Sequence, residues 1–429
     1  MNPTDYPELD ETVYLDRLSN GLTVAVVPRT GFSKKLAYFV TDFGSIHLDF
    51  TLDGAEYHVP AGVAHFLEHK MFDLPGDRDV SAEFAALGAM VNAFTSYDLT
   101  AYYFSCTEHF DQCLRLLLEF VSTPYFTEES VQKEQGIIDQ EIGMNLDAPD
   151  TVVFENLMEA LYRTHKVRLP ILGTSETIRE ITPEVLNACH RAFYTPGNMM
   201  LCVVGDVDPA AVARAALEIL GPQPRPVGKK LPMEAEAMTA GQPLVTASLE
   251  VAMPMFSLAF KAQPLDSGDE AIRRELVADL AAEALFGESS ALYLHLYEEG
   301  IIDSSFGGGF ETIDGCAMLM CSGDSDEPEA VREAVIARAG ELVREGIPEE
   351  AFLRLKRSAL GRRIRSLDSF DATCFRICAY HFSKFDYFRF PELYRSIQAE
   401  ELRCFLAQVV RAEAASLSII YPVKKEEIL

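Results

Sequence analysis

A proline- and glycine-rich stretch at residues 221–244 divides this 429-residue chain into two pieces of comparable length. The stretch holds five prolines and three glycines and has no helical or strand period, which is typical of an interdomain linker. Because domains cluster at about 100–200 residues, a chain this long is expected to form two of them. We predict an N-terminal domain over residues 1–225, a linker over 226–244 and a C-terminal domain over 245–429.

Both pieces mix strand and helix patterns. An Asn-Gly turn at Asn20 leads into alternating β-branched residues, which predicts a hairpin and a strand ending at Pro28. A helix is predicted to begin near Gly62, and a longer one with acidic residues in its first turn runs from Thr127 to about Leu146. Further predicted elements are strands within 36–40, 91–105 and 199–204 and helices at 81–90 and 109–121. The alternation indicates an α+β protein, and the similar size of the two pieces is consistent with a duplicated domain.

The composition excludes some classes of partner. Hydrophobic residues make up 48% of the chain and charged residues 24%, which is the balance of a globular protein. The formal net charge is −29. Nucleic acids and anionic membranes are therefore not expected as partners, because phosphate binding requires clustered Lys and Arg. The same negative field can steer cationic peptides toward the protein.

Several features favour the cytoplasm as the compartment. No run approaches the roughly 20 apolar residues of a membrane helix, and the first twenty residues carry acids instead of the apolar core of a signal peptide. The nine cysteines are scattered. The closest pair, Cys374 and Cys378, has helical spacing and not the C-x-x-C spacing of redox or zinc sites, so free buried thiols are expected.

The strongest chemical signal is the pentapeptide His65-Phe66-Leu67-Glu68-His69. Two histidines at i and i+4 share one helix face and can chelate one metal ion. This is H-x-x-E-H, the inverted zinc-peptidase pattern. Such a metal lowers the pKa of its water to about 7, and Glu68 can take the proton from that water and pass it to the leaving amine.

Zinc needs a third protein ligand and an open position for water. Glu134 and Glu141 lie seven residues apart on one predicted helix and so share a face. One of the two can bind the metal while the other supports a ligand. Glu83 and Glu108 are rival carboxylates, but neither has a companion at heptad spacing.

The run Gly62–Phe72 resembles the active-site helix of the pitrilysin/insulinase family, which includes the mitochondrial processing peptidases. In that family the third ligand is a downstream glutamate preceded by a second acid one heptad earlier. Here Glu141 lies 72 residues after His69, and Glu134 lies seven residues before Glu141. Other segments of the N-terminal piece resemble the family as well: Asn20–Leu22, Asn92–Ser96, Gly173–Thr174, Tyr194–Met199 and Val204–Asp206. The chain resembles small bacterial members of about this length, which tend to be encoded in pairs.

The resemblance implies a fold and a site. It implies two homologous α/β domains, each a mixed sheet covered by helices, which form a clamshell half around a peptide chamber. It implies Zn²⁺ bound by His65, His69 and Glu141, with Glu68 as the base and Glu134 in a supporting catalytic role. An extended peptide substrate would add as a strand along the sheet edge formed by Asn92, Ala93, Phe94 and Thr95, main chain to main chain.

One part of the family pattern is missing. Active members usually carry an Arg and a Tyr in the second domain, seven residues apart, that bind substrate near the scissile bond. In the corresponding stretch, residues 289–303, Tyr297 stands in the Arg position and Asp303 near the Tyr position. We transfer the substrate-binding role to neither residue.

The sequence therefore predicts a zinc-dependent endopeptidase subunit that hydrolyses short or unfolded peptides. A homologous partner subunit carrying the Arg and Tyr would complete a heterodimer, although a homodimer is also open. The alternative is a zinc-binding subunit that is weakly active or non-catalytic, within a complex for peptide maturation or protein modification.

Overall fold

The structure of the chain is a computed structural model that describes residues 1–76 and 78–423. The described residues divide into two compact units. The first unit comprises Met1–Ile142, Pro170–Pro232 and Ile364–Phe388. The second comprises Gly143–Leu169, Met233–Arg363 and the chain from Arg389 onward. Each unit therefore contains one segment from the other half of the sequence. The boundaries at 1–225 and 245–429 stay a prediction about the domains.

The strands predicted to end at Pro28 and to lie within 36–40 and 199–204 are present, and the predicted strand segment 91–105 is divided into two strands by a turn at 96–99. The other strands were not predicted individually. The strands of the structure are β1 (Asn2–Tyr6), β2 (Glu11–Arg17), β3 (Thr23–Pro28), β4 (Lys35–Thr41), β5 (Asp49–Leu52), β6 (Ala55–His58), β7 (Asp73–Leu74), β8 (Arg78–Asp79), β9 (Met90–Thr95), β10 (Thr100–Cys106), β11 (Met199–Gly205), β12 (Lys229–Lys230), β13 (Leu244–Leu249), β14 (Met255–Ala262), β15 (Gly307–Ile313), β16 (Cys316–Asp324) and β17 (Ala415–Pro422).

The helices include every helix that the sequence predicts. They are α1 (Val63–Lys70), α2 (Val80–Ala86), α3 (Phe110–Ser122), α4 (Glu128–Leu146), α5 (Pro149–Leu161), α6 (Pro183–Phe193), α7 (Pro209–Leu220), α8 (Asp269–Phe286), α9 (Ala291–Glu298), α10 (Pro328–Glu345), α11 (Glu349–Arg365), α12 (Phe370–Phe382), α13 (Phe390–Ser396) and α14 (Ala399–Val409). Across the described ranges, no helix is both long and apolar enough to cross a membrane.

The two main sheets share one topology. The first has the order β1-β2-β3-β11-β4-β10-β9, and the second has the order β13-β17-β14-β16-β15. Each sheet contains one parallel pair, β3 with β11 in the first and β13 with β17 in the second. The other pairs among β11, β4, β10 and β9, and among β17, β14, β16 and β15, are antiparallel. The same chain order of strands therefore recurs in β3-β11-β4-β10-β9 and in the second sheet, which confirms two α/β domains of one architecture.

One helix from each half of the sequence covers the sheet of the other half. Helix α5 packs against β14 and β17 in the second unit, and α12 packs against β4 and β11 in the first. The central strands β3 and β11 are buried almost throughout and read as continuous apolar runs, because a sheet covered on both faces offers no position for polar residues. Among the described residues, strand β9 has a neighbouring strand on one side only and so forms an edge of the first sheet.

Candidate metal centre

Helix α1 carries three of the residues that the sequence singled out, and its start is fixed by a close backbone contact. Gly62 caps the helix with φ at 91°, a left-handed conformation that favours glycine. A Cβ atom on Gly62 would lie 2.4 Å from the carbonyl oxygen of Leu172. The loop around Leu172 therefore sets where α1 begins, and with it the direction in which His65 and His69 point.

Helix α4 brings a carboxylate to both histidines. Nε2 of His65 lies 3.7 Å from one oxygen of Glu141, and Nε2 of His69 lies 3.6 Å from the other. One donor atom from each of the three residues can be chosen so that all lie within 4.8 Å of one another. No second group of three or more such side chains at this spacing occurs among residues 1–76 and 78–423.

Glu134 contacts the opposite side of the His69 ring. Its Oε1 lies 3.0 Å from Nδ1 of His69. A proton on Nδ1 donated to this carboxylate leaves the lone pair of Nε2 directed at Glu141, the tautomer that a metal ligand needs. His65 lacks such support in the described chain, where its buried Nδ1 has no hydrogen-bond partner.

The two histidines differ in their electrostatics. Burial, reinforced by the neighbouring His69, lowers the pKa of His65 to about 3, so its ring is neutral near pH 7. Burial also opposes a charge on His69, but the hydrogen bond and the negative charge of Glu134, with further help from Glu68 and Glu141, raise the pKa of His69 above its ordinary value. These directions hold without a metal, and a bound divalent cation favours the deprotonated form of each ligand.

Glu68 is held by a residue of the edge strand. Its side chain is buried, and its Oε2 accepts a hydrogen bond of 2.7 Å from the hydroxyl of Thr95. Burial raises the pKa of Glu68, while the Thr95 hydrogen bond and His69 oppose that rise. A carboxylate with a raised pKa beside a metal site is suited to accept and release a proton.

The predicted substrate-binding residues all lie on β9, at the edge of the first sheet. Successive side chains on a strand alternate between its two faces. Thr95 reaches Glu68 on α1, and Phe94 contacts Phe375 of α12 with ring centroids 5.9 Å apart. Asn92 accepts a hydrogen bond of 2.9 Å from the backbone N–H of Ala93. The outer main-chain edge of β9 has no strand beside it in the described structure.

The degenerate stretch lies on and after α9, in the second unit. Tyr297 is 52% exposed and stacks on Tyr293 with centroids 5.7 Å apart and rings nearly parallel. Asp303 accepts a hydrogen bond from the backbone N–H of Ser305. Both residues have ordinary local contacts, and neither offers the cationic group that the family places in this stretch.

Some contacts at the site were not foreseen from the sequence. Lys70 follows the motif directly, is buried, and bonds to Asp73 and to the carbonyl oxygen of Ser130 at 3.4 Å, which ties α1 to the start of α4. Tyr102 and Tyr194 form a buried hydroxyl pair at 2.8 Å. Lys70 and Tyr194 lie in segments that resemble the family, Gly62–Phe72 and Tyr194–Met199, but no sequence pattern indicated their contacts. For the contact of Thr95 with Glu68 the one available signal was strand parity, because Thr95 lies two residues after Ala93 and so shares its face.

The donor set fits zinc. Four-coordinate zinc with ligand bonds of about 2.0–2.2 Å places neighbouring donors about 3.4 Å apart. The contacts of Glu141 to His65 and His69 are close to this value. Two neutral imidazoles and one carboxylate leave a fourth position for water, as catalytic zinc sites require. The fold and this site together define a class: two-domain α+β proteins of the zinc-metallopeptidase type with an inverted motif.

Comparisons with known proteins identify the family. Residues 54–175 match the family described as Insulinase (Peptidase family M16), and residues 180–359 match the one described as Peptidase M16 inactive domain. A protein of Bacillus subtilis named as an uncharacterized zinc protease, YmfH, is 36% identical over 98% of this chain and 99% of its own length. This chain belongs to peptidase family M16, its cofactor is zinc, and the family resemblance drawn from the sequence is confirmed.

Solved structures agree with this assignment. An M16-like peptidase from Alicyclobacillus acidocaldarius has a TM-score of 0.93 and 32% identity, with 98% of this chain and 100% of that chain covered. Pitrilysin matches 98% of this chain but only 46% of its own length, with a TM-score of 0.79 and 16% identity, so this likeness concerns the fold alone.

Proposed function

We propose that this chain is the zinc-binding, catalytic subunit of an endopeptidase that cleaves short or unfolded peptides. The observation that carries the proposal is the convergence of His65, His69 and Glu141 beside a buried glutamate, Glu68. In this assignment the first three residues are the zinc ligands, Glu68 is the general base, and Glu134 orients His69. The relatives named as zinc proteases support the reaction class.

The residues of the site divide the chemistry among them. When bound, zinc supplies the Lewis acidity that makes a water molecule nucleophilic near neutral pH. Glu68 takes a proton from the attacking water and delivers it to the amide nitrogen as the C–N bond breaks, which yields a carboxylate and an amine. Glu134 keeps the proton of His69 on Nδ1, so that Nε2 remains a ligand.

The edge strand β9 is the proposed dock for the peptide. An extended substrate adds to the free edge beside Asn92–Thr95 through main-chain hydrogen bonds. Its side chains then alternate between the α1 face, where Thr95 contacts Glu68, and the α12 face, where Phe94 meets Phe375. Main-chain recognition requires an extended chain and imposes weak sequence preference, so folded proteins are excluded as substrates.

We further propose that the active enzyme contains a second, homologous subunit that carries an Arg/Tyr pair. The support is the substitution of that pair by Tyr297 and Asp303 in this chain. The match to this chain covers 46% of pitrilysin, so the rest of pitrilysin is long enough for a second copy of the fold. A homodimer is the competing assembly. All nine cysteines are free, and eight are buried, which fits a reducing compartment, so we place the complex in the cytoplasm.

The first test is hydrolysis of a mixture of short unstructured peptides by the purified chain, alone and together with a homologous subunit that carries the Arg/Tyr pair. Cleavage that appears only in the mixture and stops with a chelator supports the heterodimer. Full activity of the purified chain alone contradicts the need for a partner and leaves the zinc chemistry standing.

The alternative function is a non-catalytic, zinc-binding subunit. A substitution of Glu68 distinguishes this alternative from the proposed endopeptidase. The variant Glu68→Gln removes the base without removing a ligand. If the chemistry is real, Glu68→Gln abolishes cleavage while the zinc content stays at one ion per chain. Absence of cleavage by the wild-type chain in both preparations favours the non-catalytic subunit.

A further inference from the structure

We infer that Thr95 is a positioning residue that couples the peptide-binding edge strand to the general base. The inference rests on the proposed function, since it assigns Thr95 a task in the reaction of Glu68. In sequence terms Thr95 is only the last residue of a strand predicted to bind substrate. Its side chain, however, is directed at the base instead of at the open edge of the sheet.

The first argument is the contact itself. Glu68 is only 8% exposed, and the 2.7 Å hydrogen bond from Thr95 is the one side-chain hydrogen bond to its carboxylate within the described chain. A buried carboxylate without a donor carries a large desolvation cost, and its side-chain torsions are otherwise restrained by packing alone. The Thr95 hydroxyl therefore fixes Oε2 and leaves Oε1 as the oxygen that can face the reacting water.

The second argument is that Thr95 has little freedom of its own. It lies directly opposite Thr100 in the register of β9 and β10, with the two hydroxyl oxygens 3.4 Å apart. Thr100 is fully buried and donates its proton to the carbonyl oxygen of Phe43 at 2.8 Å. Since Thr is stiff at χ1, this packing holds the hydroxyl of Thr95 toward Glu68.

The third argument is the place of Thr95 in the fold. It ends β9, whose outer edge has no neighbour among the described strands, and the turn that follows is closed by the 2.8 Å hydrogen bond from the N–H of Ser96 to the carbonyl oxygen of Leu99. A peptide that adds to β9 fixes the backbone of the strand, including Thr95, and so fixes Glu68. Docking of an extended substrate and orientation of the base are thus one event, and a peptide that misses the strand meets a less well placed base.

The test compares two substitutions at position 95. Thr95→Val keeps the β-branched shape and removes the hydroxyl, whereas Thr95→Ser keeps the hydroxyl. We expect Thr95→Val to lower kcat roughly 10- to 100-fold with KM changed less than about 3-fold, because the base is displaced and the docking strand is intact. Thr95→Ser should retain activity within about 3-fold of wild type, and zinc content should be unchanged in both.

The matched control is Thr12→Val. Thr12 also donates to a carboxylate, Asp5, at 2.8 Å, and it lies toward the other edge of the same sheet. Thr12→Val should leave kcat, KM and zinc content unchanged. An unchanged kcat in Thr95→Val, or an equal loss in Thr95→Ser, would overturn the positioning role.

A second measurement needs neither metal nor activity. In metal-free protein, Thr95→Val should lower the unfolding temperature by about 2–4 °C, because it strips a buried carboxylate of its donor. In the background of Glu68→Ala the same substitution should have a clearly smaller effect, since no carboxylate remains. Equal shifts in both backgrounds contradict the coupling. If the wild type cleaves no peptide, the proposed function fails, while this cycle still decides whether Thr95 and Glu68 interact.

Discussion

At the scale of single residues, two chemically identical side chains on one helix contact different ring nitrogens, and we propose different roles for them on that ground. Glu134 meets Nδ1 of His69 at 3.0 Å, and Glu141 meets Nε2 of both histidines at 3.6 and 3.7 Å. A separation of seven residues places both carboxylates on one face of α4 but about 10 Å apart along its axis. The proposed roles follow from which ring nitrogen each carboxylate contacts.

This division of labour predicts a graded loss of zinc. Glu141→Gln should weaken zinc binding by more than about 100-fold, because a ligand is lost, and Glu134→Gln should weaken it by about 10- to 100-fold, because only the support of His69 is lost. The measurement is competition with a chelator of known affinity. Glu129→Gln, on the exposed first turn of the same helix, is the control and should bind zinc as wild type does. Equal losses at 134 and 141 would contradict the assigned roles.

At the scale of elements, the entry into α1 is the point where backbone geometry controls the site. Gly62 combines a left-handed φ of 91° with a backbone neighbour that leaves no room for a side chain. Gly54, in the turn between β5 and β6, has a similar φ of 83° but open space around it. The pair separates the effect of conformation from the effect of close packing.

We expect Gly62→Ala to destabilise the protein clearly more than Gly54→Ala. Left-handed strain costs about 1–3 kcal/mol in either variant, and in Gly62→Ala the clash with Leu172 must also be relieved by moving the start of α1. Zinc affinity should fall in Gly62→Ala and stay unchanged in Gly54→Ala. Thermal unfolding and zinc titration of both variants test this, and similar results for the two glycines would show that the close approach does not matter.

A second element, the segment around Glu236 in the predicted linker, is held by an internal ion pair. Lys261 of β14 is 1% exposed, and its Nζ donates a hydrogen bond of 2.7 Å to the carboxylate of Glu236. The same carboxylate also accepts hydrogen bonds from the backbone N–H groups of residues 163–165, just after α5. Burial alone would raise the pKa of Glu236, but Lys261 and these N–H donors outweigh it and hold the pKa well below its ordinary value of 4.5.

The lowered pKa of Glu236 predicts a loss of stability in acid. A carboxyl group whose pKa is lower in the folded state stabilises the fold above its unfolded pKa, so this contribution is complete above about pH 5 and declines as the pH falls below 4.5. Glu236→Gln should remove this part of the pH dependence and lower the free energy of unfolding by about 3 kcal/mol at pH 7, since Lys261 loses its buried partner. Chemical unfolding at a series of pH values checks both. The double variant Glu236→Gln, Lys261→Met should recover part of the loss, and no recovery would contradict the pairing.

At the scale of the whole molecule, the formal charge of −29 acts on any charged substrate. Steering by such a field increases the association rate of cationic peptides and is screened by salt. We expect kcat/KM for a lysine-rich peptide to fall about 10-fold between roughly 10 mM and 200 mM ionic strength. A neutral peptide of equal length should change less than about 2-fold under the same conditions. Equal salt dependence of the two peptides would show that net charge plays no part in capture.

The two sheets share an architecture but differ in the chemistry of their side chains. Both sheets have one strand order, yet the cluster found in the described residues that could hold a metal, His65, His69 and Glu141, belongs to the first repeat alone. Residues 180–359 match a profile described as an inactive domain, in agreement with this asymmetry. Packing of strands depends on apolar patterning that many sequences satisfy, whereas a metal site requires particular side chains at particular positions.

The sequence by itself determined those features that depend on short-range periodicity. Helix spacing alone placed His65 with His69 and Glu134 with Glu141, and it located α1 and α4 within a residue or two. The family resemblance then separated the two glutamates. Local patterns also predicted β9, because alternation and turn residues are properties of neighbouring positions.

The tertiary structure alone decided which distant groups meet. The hydrogen bond from Thr95 to Glu68, the approach of Gly62 to Leu172 and the packing of α5 and α12 on the sheet of the opposite half leave no local pattern. Each depends on how whole elements pack, and packing is set by the shape and burial of many side chains at once. The sheets that α5 and α12 cover could not be predicted, since the sequence of a helix shows its apolar face but not the sheet against which that face packs.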